Sequence, residues 1–173
     1  MRFVFFSLVI SLFFLSCSRK GSEELFKDGQ AAEEQKNFQL AIERYGQIVD
    51  DYQEQAYAES SQYRIAMIYN NEIRDMQKAV TAYQKFNTLF PESKMAPTML
   101  FLTGFLYNNE LHILDSARIM YETFLQKYPD HELAMSAKFE LETLGKDPSQ
   151  LLKQEVATSQ ESKDKKNQQA PKQ

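Results

Sequence analysis

Ala79-Val80-Thr81-Ala82-Tyr83-Gln84-Lys85-Phe86-Asn87-Thr88-Leu89-Phe90-Pro91-Glu92 is the stretch that decides the fold. Ala79, Tyr83, Phe86 and Phe90 are spaced four, three and four residues apart, the stripe that one face of an α-helix turns toward a core. Pro91 closes the helix, because proline cannot continue one and biases its predecessor away from helical geometry. The same stripe returns further along the chain as Ala117, Tyr121, Phe124 and Tyr128, followed by Pro129-Asp130. It also stands earlier, as Ala41, Tyr45, Ile48 and Tyr52, and the interval between copies is the same in both directions. Working outward, Tyr63, Phe101 and Phe139 keep this period, as do Ala58, Ala96 and Ala134. Tyr69-Asn70-Asn71-Glu72-Ile73 recurs as Tyr107-Asn108-Asn109-Glu110-Leu111. Thirteen of the seventeen aromatic residues after position 16 fall in this register, so the chain is built from repeats.

Each unit contains two helices. The pattern predicts an all-α fold with helices near 22–36, 38–52, 57–72, 76–90, 96–110, 115–128 and 131–144. Composition agrees: five glycines and five prolines in 173 residues cannot supply the turns of an all-β sandwich. The recurrent alanines let paired helices cross closely, and Gly104 marks another close approach. The last helix reads as a half-repeat cap, with Phe139, Leu141 and Leu144 covering the third unit. Glu132, Lys138, Glu140 and Glu142 are expected to face water, and Gly145 to stop the helix.

The order small residue, Tyr, Ala, aromatic, Pro resembles the tetratricopeptide repeat (TPR), and Phe90 to Pro97 resembles repeats of two exported bacterial groups. These are the BamD-type outer-membrane assembly lipoproteins and the periplasmic coordinators of the Tol-Pal system. The resemblance spans roughly residues 22–145. It implies a right-handed α-solenoid of about three TPR helix pairs plus a C-terminal capping helix, with a concave surface lined by the first helices. Ligand-holding positions of the family map onto Tyr63, Met67, Asn70 and Asn71 in unit two, and onto Phe101, Phe105, Asn108 and Asn109 in unit three. Two readings of these residues stand side by side: a partner-binding groove, or core aromatics with asparagines that terminate helices. Unit one departs from the pattern, with Gln53 at the closing-proline position and Ala32 at the first-helix tyrosine position. Units two and three carry ten residues from Tyr69 to Ala79 and from Tyr107 to Ala117, one more than is usual, which predicts a longer interhelix turn.

The ends differ from the array. Met1-Arg2 precedes a short apolar run, Phe3 to Leu15, too short to span a bilayer and laid out as an export signal. Phe14-Leu15-Ser16-Cys17 resembles the lipobox of bacterial lipoproteins, although Phe14 stands where leucine is usual. The resemblance implies a signal peptide over 1–16, a lipidated Cys17 with a short tether over 17–21, and an outer-membrane lipoprotein facing the periplasm. At the other end, 146–173 is polar: Asp147-Pro148 reads as a helix cap with a first-turn proline before a short helix near 149–157, and the rest lacks apolar residues larger than alanine. This tail carries six lysines against four acids, whereas 21–145 carries eleven bases against twenty acids.

No metal-ligand spacing, nucleophile motif or phosphate-cradling loop is present, so no catalytic residue, metal or cofactor is assigned. His112 and His131 fall at positions expected to be exposed. The net charge of −4 disfavours nucleic acid as a partner. The sequence therefore predicts a lipid-anchored adaptor for envelope proteins or peptides, resembling the outer-membrane assembly proteins. The alternative is an envelope spacer whose tail contacts peptidoglycan or lipid.

Overall fold

The computed structural model describes residues 20–146. The expected signal peptide, Cys17, and the tail from residue 147 with its expected short helix lie outside the described residues. Among those residues the chain forms helices and no strand. The helices are α1 (Ser22–Glu34), α2 (Phe38–Asp51), α3 (Tyr57–Met67), α4 (Met76–Leu89), α5 (Ala96–Asn109), α6 (Leu114–Lys127) and α7 (Ala134–Thr143). A π-helical stretch, Ile68–Ile73, continues α3. Each helix packs on its neighbour in the chain, and α1 also meets α3, so three helix pairs stack in series with α7 at the end. This is the packing of a TPR-type α-solenoid.

The second helix of each pair carries the buried stripe. Tyr45, Tyr83 and Tyr121 are fully buried, as are Ile48, Phe86 and Phe124, and Ala41, Ala79 and Ala117 allow the close crossing. Small residues on the first helices receive the tyrosine rings. A Cβ on Gly104 would lie 2.9 Å from Tyr121 Cε1, so the close approach expected there is present. Gly29 does the same for Tyr45, at 2.5 Å from Cε1, and buried Ala66 holds the corresponding place in unit two.

The turns repeat with the same period. Lys36, Arg74 and His112 are all left-handed, with φ of 57°, 58° and 54°. Each stands just before the cap residue of a second helix, and two of these caps, Asn37 and Asp75, accept from Leu40 N (3.3 Å) and Lys78 N (3.1 Å). Lys36 and Arg74 also place a cation just past a helix C-terminus, where it suits the negative end of the dipole. Between α5 and α6 the turn is four residues against three between α1 and α2, the longer turn expected there, whereas in unit two only Arg74 and Asp75 separate the helical stretches. The extra residue of unit two is absorbed inside the first helix, whose last turn widens into the π-helical stretch. In unit one the bond that closes the helix end runs from Asn37 N to Ala32 O (2.8 Å), whereas in units two and three Asp75 N and Ile113 N reach one residue further, to Tyr69 O (3.0 Å) and Tyr107 O (2.8 Å). The left-handed residue and the cap thus stay in register while the helix end of unit two widens.

The last helix also needs correction. It begins at Ala134, not 131, because residues 131–133 form the same inter-unit turn as 93–95. Ser93 N donates to Phe90 O (3.1 Å) and His131 N to Tyr128 O (3.2 Å); Ser93 Oγ and His131 Nδ1 then accept from Met95 N (3.0 Å) and Leu133 N (3.1 Å). His131 is therefore half-buried and sits edge-on to Phe124 at 5.7 Å, not exposed as expected. Ala134 and Ala137 bury α7 against the third unit, while Phe139 points away and is 58% exposed. Glu140 turns inward instead of facing water, toward Asn108 and Tyr121. Gly145 stops the chain in left-handed geometry, φ 72°, as expected.

Candidate partner-binding groove

The buried tyrosines reach through the second helices toward the first ones, and their hydroxyls mark the inner surface of the array. Tyr45 Oη donates to Glu33 Oε2 at 2.6 Å, and Arg64 Nη1 of the next unit donates to the same oxygen at 2.9 Å. Tyr83 Oη lies 3.7 Å from Met67 Sδ. Tyr121 Oη donates to Glu140 Oε2 at 3.4 Å, and Asn108 Nδ2 donates to it at 3.0 Å. Burial, reinforced by the adjacent carboxylate, raises the pKa of Tyr45 and Tyr121, since ionising the phenol would strand a second negative charge. Tyr83 is pushed up to about 12, chiefly by burial.

Two adjoining depressions open along α3 and its π-helical continuation. The first, about 380 Å³, is lined by Tyr63, Arg64, Met67, Ile68, Asn71 and Glu72, with Glu33 from α1. The second, about 270 Å³, lies between units two and three and is lined by Asn70, Asn71, Arg74, Met76, Tyr83, Leu102, Phe105, Leu106 and Glu110. Asn71 belongs to both. Each is the size of one or two side chains and carries mixed lining, with an aromatic or thioether floor and amide and charged groups at the edge. Within the π-helical stretch at 68–73, Asn71 lies at the boundary between the two and Asn70 lines the second.

The structure thus brings together five of the eight expected groove residues: Tyr63, Met67, Asn70, Asn71 and Phe105. The other three are engaged elsewhere. Phe101 turns into the core, its ring centroid 5.8 Å from Tyr121 and 6.0 Å from Phe124. Asn108 is bound to Glu140 of α7, and Asn109 Nδ2 donates to Phe105 O of its own helix at 3.2 Å. Asn109 is the last residue of α5, and the left-handed residues of the turns are Arg74 and His112, beyond the asparagines. Arg64, Arg74, Glu33, Glu72 and Glu110 were not singled out from sequence. A signal existed, because Glu34, Glu72 and Glu110 share the repeat period, as do Lys36, Arg74 and His112.

Among the described residues no cluster of His, Cys, Asp and Glu is arranged to hold a metal ion, and no helix is long and apolar enough to cross a membrane. Comparison with curated proteins finds no match. Residues 60–93 match the family model of the tetratricopeptide repeat, a stretch that runs from α3 through the π-helical turn and α4 to the following loop. Tetratricopeptide repeats are typically non-enzymatic scaffolds for protein–protein contacts. Residues 60–93 are thus similar to a tetratricopeptide repeat, and helix pairs of the same register stand on either side of them.

Proposed function

We propose that the chain is a lipid-anchored periplasmic scaffold that binds other envelope proteins, in outer-membrane protein assembly, through the inner surface of α3 and α5. The observation that carries the binding role is the pair of depressions joined at Asn71. An extended peptide can drop one side chain into each while the Asn70 and Asn71 amides pair with its backbone, since each amide both donates and accepts. Arg64 and Arg74, with Glu72 and Glu110, offer both charge signs at the edges for register and choice of partner. Export and anchoring rest on the Met1-Arg2 start, the apolar run and the single cysteine at position 17. A single acyl chain holds a protein only marginally, and the multiple acylation of bacterial lipoproteins satisfies the need for more than one.

Crosslinking in intact cells followed by mass spectrometry identifies the partner. Asn71→Ala with Phe105→Ala is then expected to weaken its capture at least about tenfold, the effect of removing one anchor and one backbone clamp. Undiminished capture by a folded double variant would refute the groove. Cys17→Ser is expected to move the protein from the membrane to the soluble envelope fraction.

A second reading, an envelope spacer, is favoured by the basic tail beside an acidic array. Deleting residues 158–173 separates the two. A spacer loses its cell-wall sedimentation, whereas a scaffold keeps its protein partner.

A further inference from the structure

The three buried tyrosines hold the same place in successive units, and their hydroxyls are answered differently. Tyr45 Oη donates to Glu33 Oε2 (2.6 Å), and Arg64 Nη1 donates to the same oxygen (2.9 Å). Tyr121 Oη donates to Glu140 Oε2 (3.4 Å), and Asn108 Nδ2 donates to that oxygen (3.0 Å). In both places one carboxylate oxygen takes the phenol hydrogen and a second N–H, both of them charge-assisted bonds. Tyr83 is fully buried as well, but its hydroxyl is bonded to Met67 Sδ, at 3.7 Å. A thioether is a weak acceptor, so a phenol hydrogen shielded from water is only weakly held.

The repeat register gives the cause. One period after Glu33 stands Asn71, and one period before Glu140 stands Leu102, so unit two carries a carboxylate at neither place. Asn70, one period before Asn108, keeps the nitrogen donor. Tyr83, Asn70, Asn71 and Leu102 all line the second depression, together with the exposed Arg74. Asn70 Nδ2 gives one hydrogen to Asn71 Oδ1 (2.8 Å), which leaves the amide's second N–H for another acceptor. The tyrosine, the amide and the depression are present, and the acidic side chain that completes the set in units one and three is replaced by leucine.

We propose that this depression takes the carboxylate of an aspartate or glutamate side chain within an extended segment of the partner protein, a reading that rests on the inner surface being a peptide groove. The incoming oxygen accepts from Tyr83 Oη and Asn70 Nδ2, as Glu140 does from Tyr121 and Asn108, while Met67 turns its unbranched side chain aside. Leu102 and Phe105 pack on the methylene stem of the acid, and Arg74 outweighs the exposed Glu110 once the two donors are counted with it. The array as a whole is acidic, with eleven bases against twenty acids over 21–145, so its general field opposes an acidic segment. A preference for one has to come from this site.

An end-blocked heptapeptide of alanine and leucine with one central glutamate, and its glutamine counterpart, test this by NMR titration of the full chain in detergent, read at the Asn70 and Asn71 amides. The glutamate peptide is expected to bind about tenfold more tightly. Tyr83→Phe deletes the hydroxyl and keeps the buried ring, and is expected to bring the two peptides to equal affinity without lowering the melting temperature. Leu102→Glu puts a carboxylate in the register of Glu140 and is expected to abolish the preference by filling the site from within; it carries the test should Tyr83→Phe disturb the fold. Equal binding of the two peptides at the groove overturns the acid site and leaves the groove standing, whereas binding of neither overturns both. A preference that survives both variants also overturns the proposal, as does one seen only when the peptide's C-terminal carboxylate is left free.

Discussion

Two glycines in adjacent helices are expected to respond to the same substitution with opposite signs. Gly29, inside α1, has no room for a methyl group. A Cβ there would stand 2.5 Å from Tyr45 Cε1, 2.8 Å from Cζ and 2.9 Å from Cδ1. The ring cannot yield easily, because Tyr45 is fully buried and its hydroxyl is held by Glu33 at 2.6 Å. Overpacking of this kind costs about 1–3 kcal/mol, and contacts this short belong in the upper part of that range. Replacing a mid-helix glycine by alanine returns about 1 kcal/mol of helix propensity, so Gly29→Ala is expected to lose about 1–2 kcal/mol net. Gly46, inside α2, has nothing within 4 Å of the added carbon. Gly46→Ala therefore keeps the propensity gain, about 0.5–1 kcal/mol. In an array of this size the two variants should melt about 5–10 °C apart. Thermal and urea unfolding followed by far-ultraviolet circular dichroism measures the gap, with the unaltered chain lying between. A Gly29→Ala protein that melts at or above Gly46→Ala would show that the tyrosine seat is not the tight contact described, and the small-residue logic of all three pairs would fail with it.

Ile113 occupies the cap position of α6, in register with Asn37 and Asp75, yet makes no side-chain cap and is 41% exposed. Ile113→Asp is expected to stabilise the chain by about 1 kcal/mol, and an unchanged melting temperature would count against the shared turn geometry. The buried phenols predict alkaline unfolding: their pKa values are raised on folding, so their contribution is complete below the ordinary value near 10 and is lost as pH climbs toward 12 and beyond. In a spectrophotometric titration Tyr45, Tyr83 and Tyr121 should ionise above the ordinary tyrosine value, together with loss of helical signal. Ionisation of these three at the ordinary value with the helices intact would contradict their burial.

The helix pairs were legible because their cause is local. A stripe such as Ala79, Tyr83, Phe86 and Phe90 needs only helical spacing to be recognised, and its regular repetition along the chain averages out the ambiguity of any single segment. The groove was half legible. Tyr63 and Phe101 are the same position in successive units, and one lines a depression while the other stacks on Tyr121 and Phe124. Nothing in their own spacing separates them; the difference lies in the neighbouring elements each one meets. Asn70 and Asn108 divide in the same way, the first at a depression and the second tied to Glu140 of α7. The inward turn of Glu140 had no local signal, because a glutamate on the last helix reads as a solvated side chain until its bond to Asn108 and its approach to Tyr121 are known.

The sequence by itself determined the repeat, its period, the buried tyrosine stripe and the all-α class, since each follows from the distance between residues along one helix. It also carried the acidic array and the basic tail, which are matters of counting. Tertiary structure decided where the extra residue of each unit resides: in a π-helical end in unit two and in a four-residue turn in unit three, with the left-handed Arg74 and His112 kept in register. Asn71 there stands between two depressions, a placement that depends on helices from successive units and so cannot be read from any one of them.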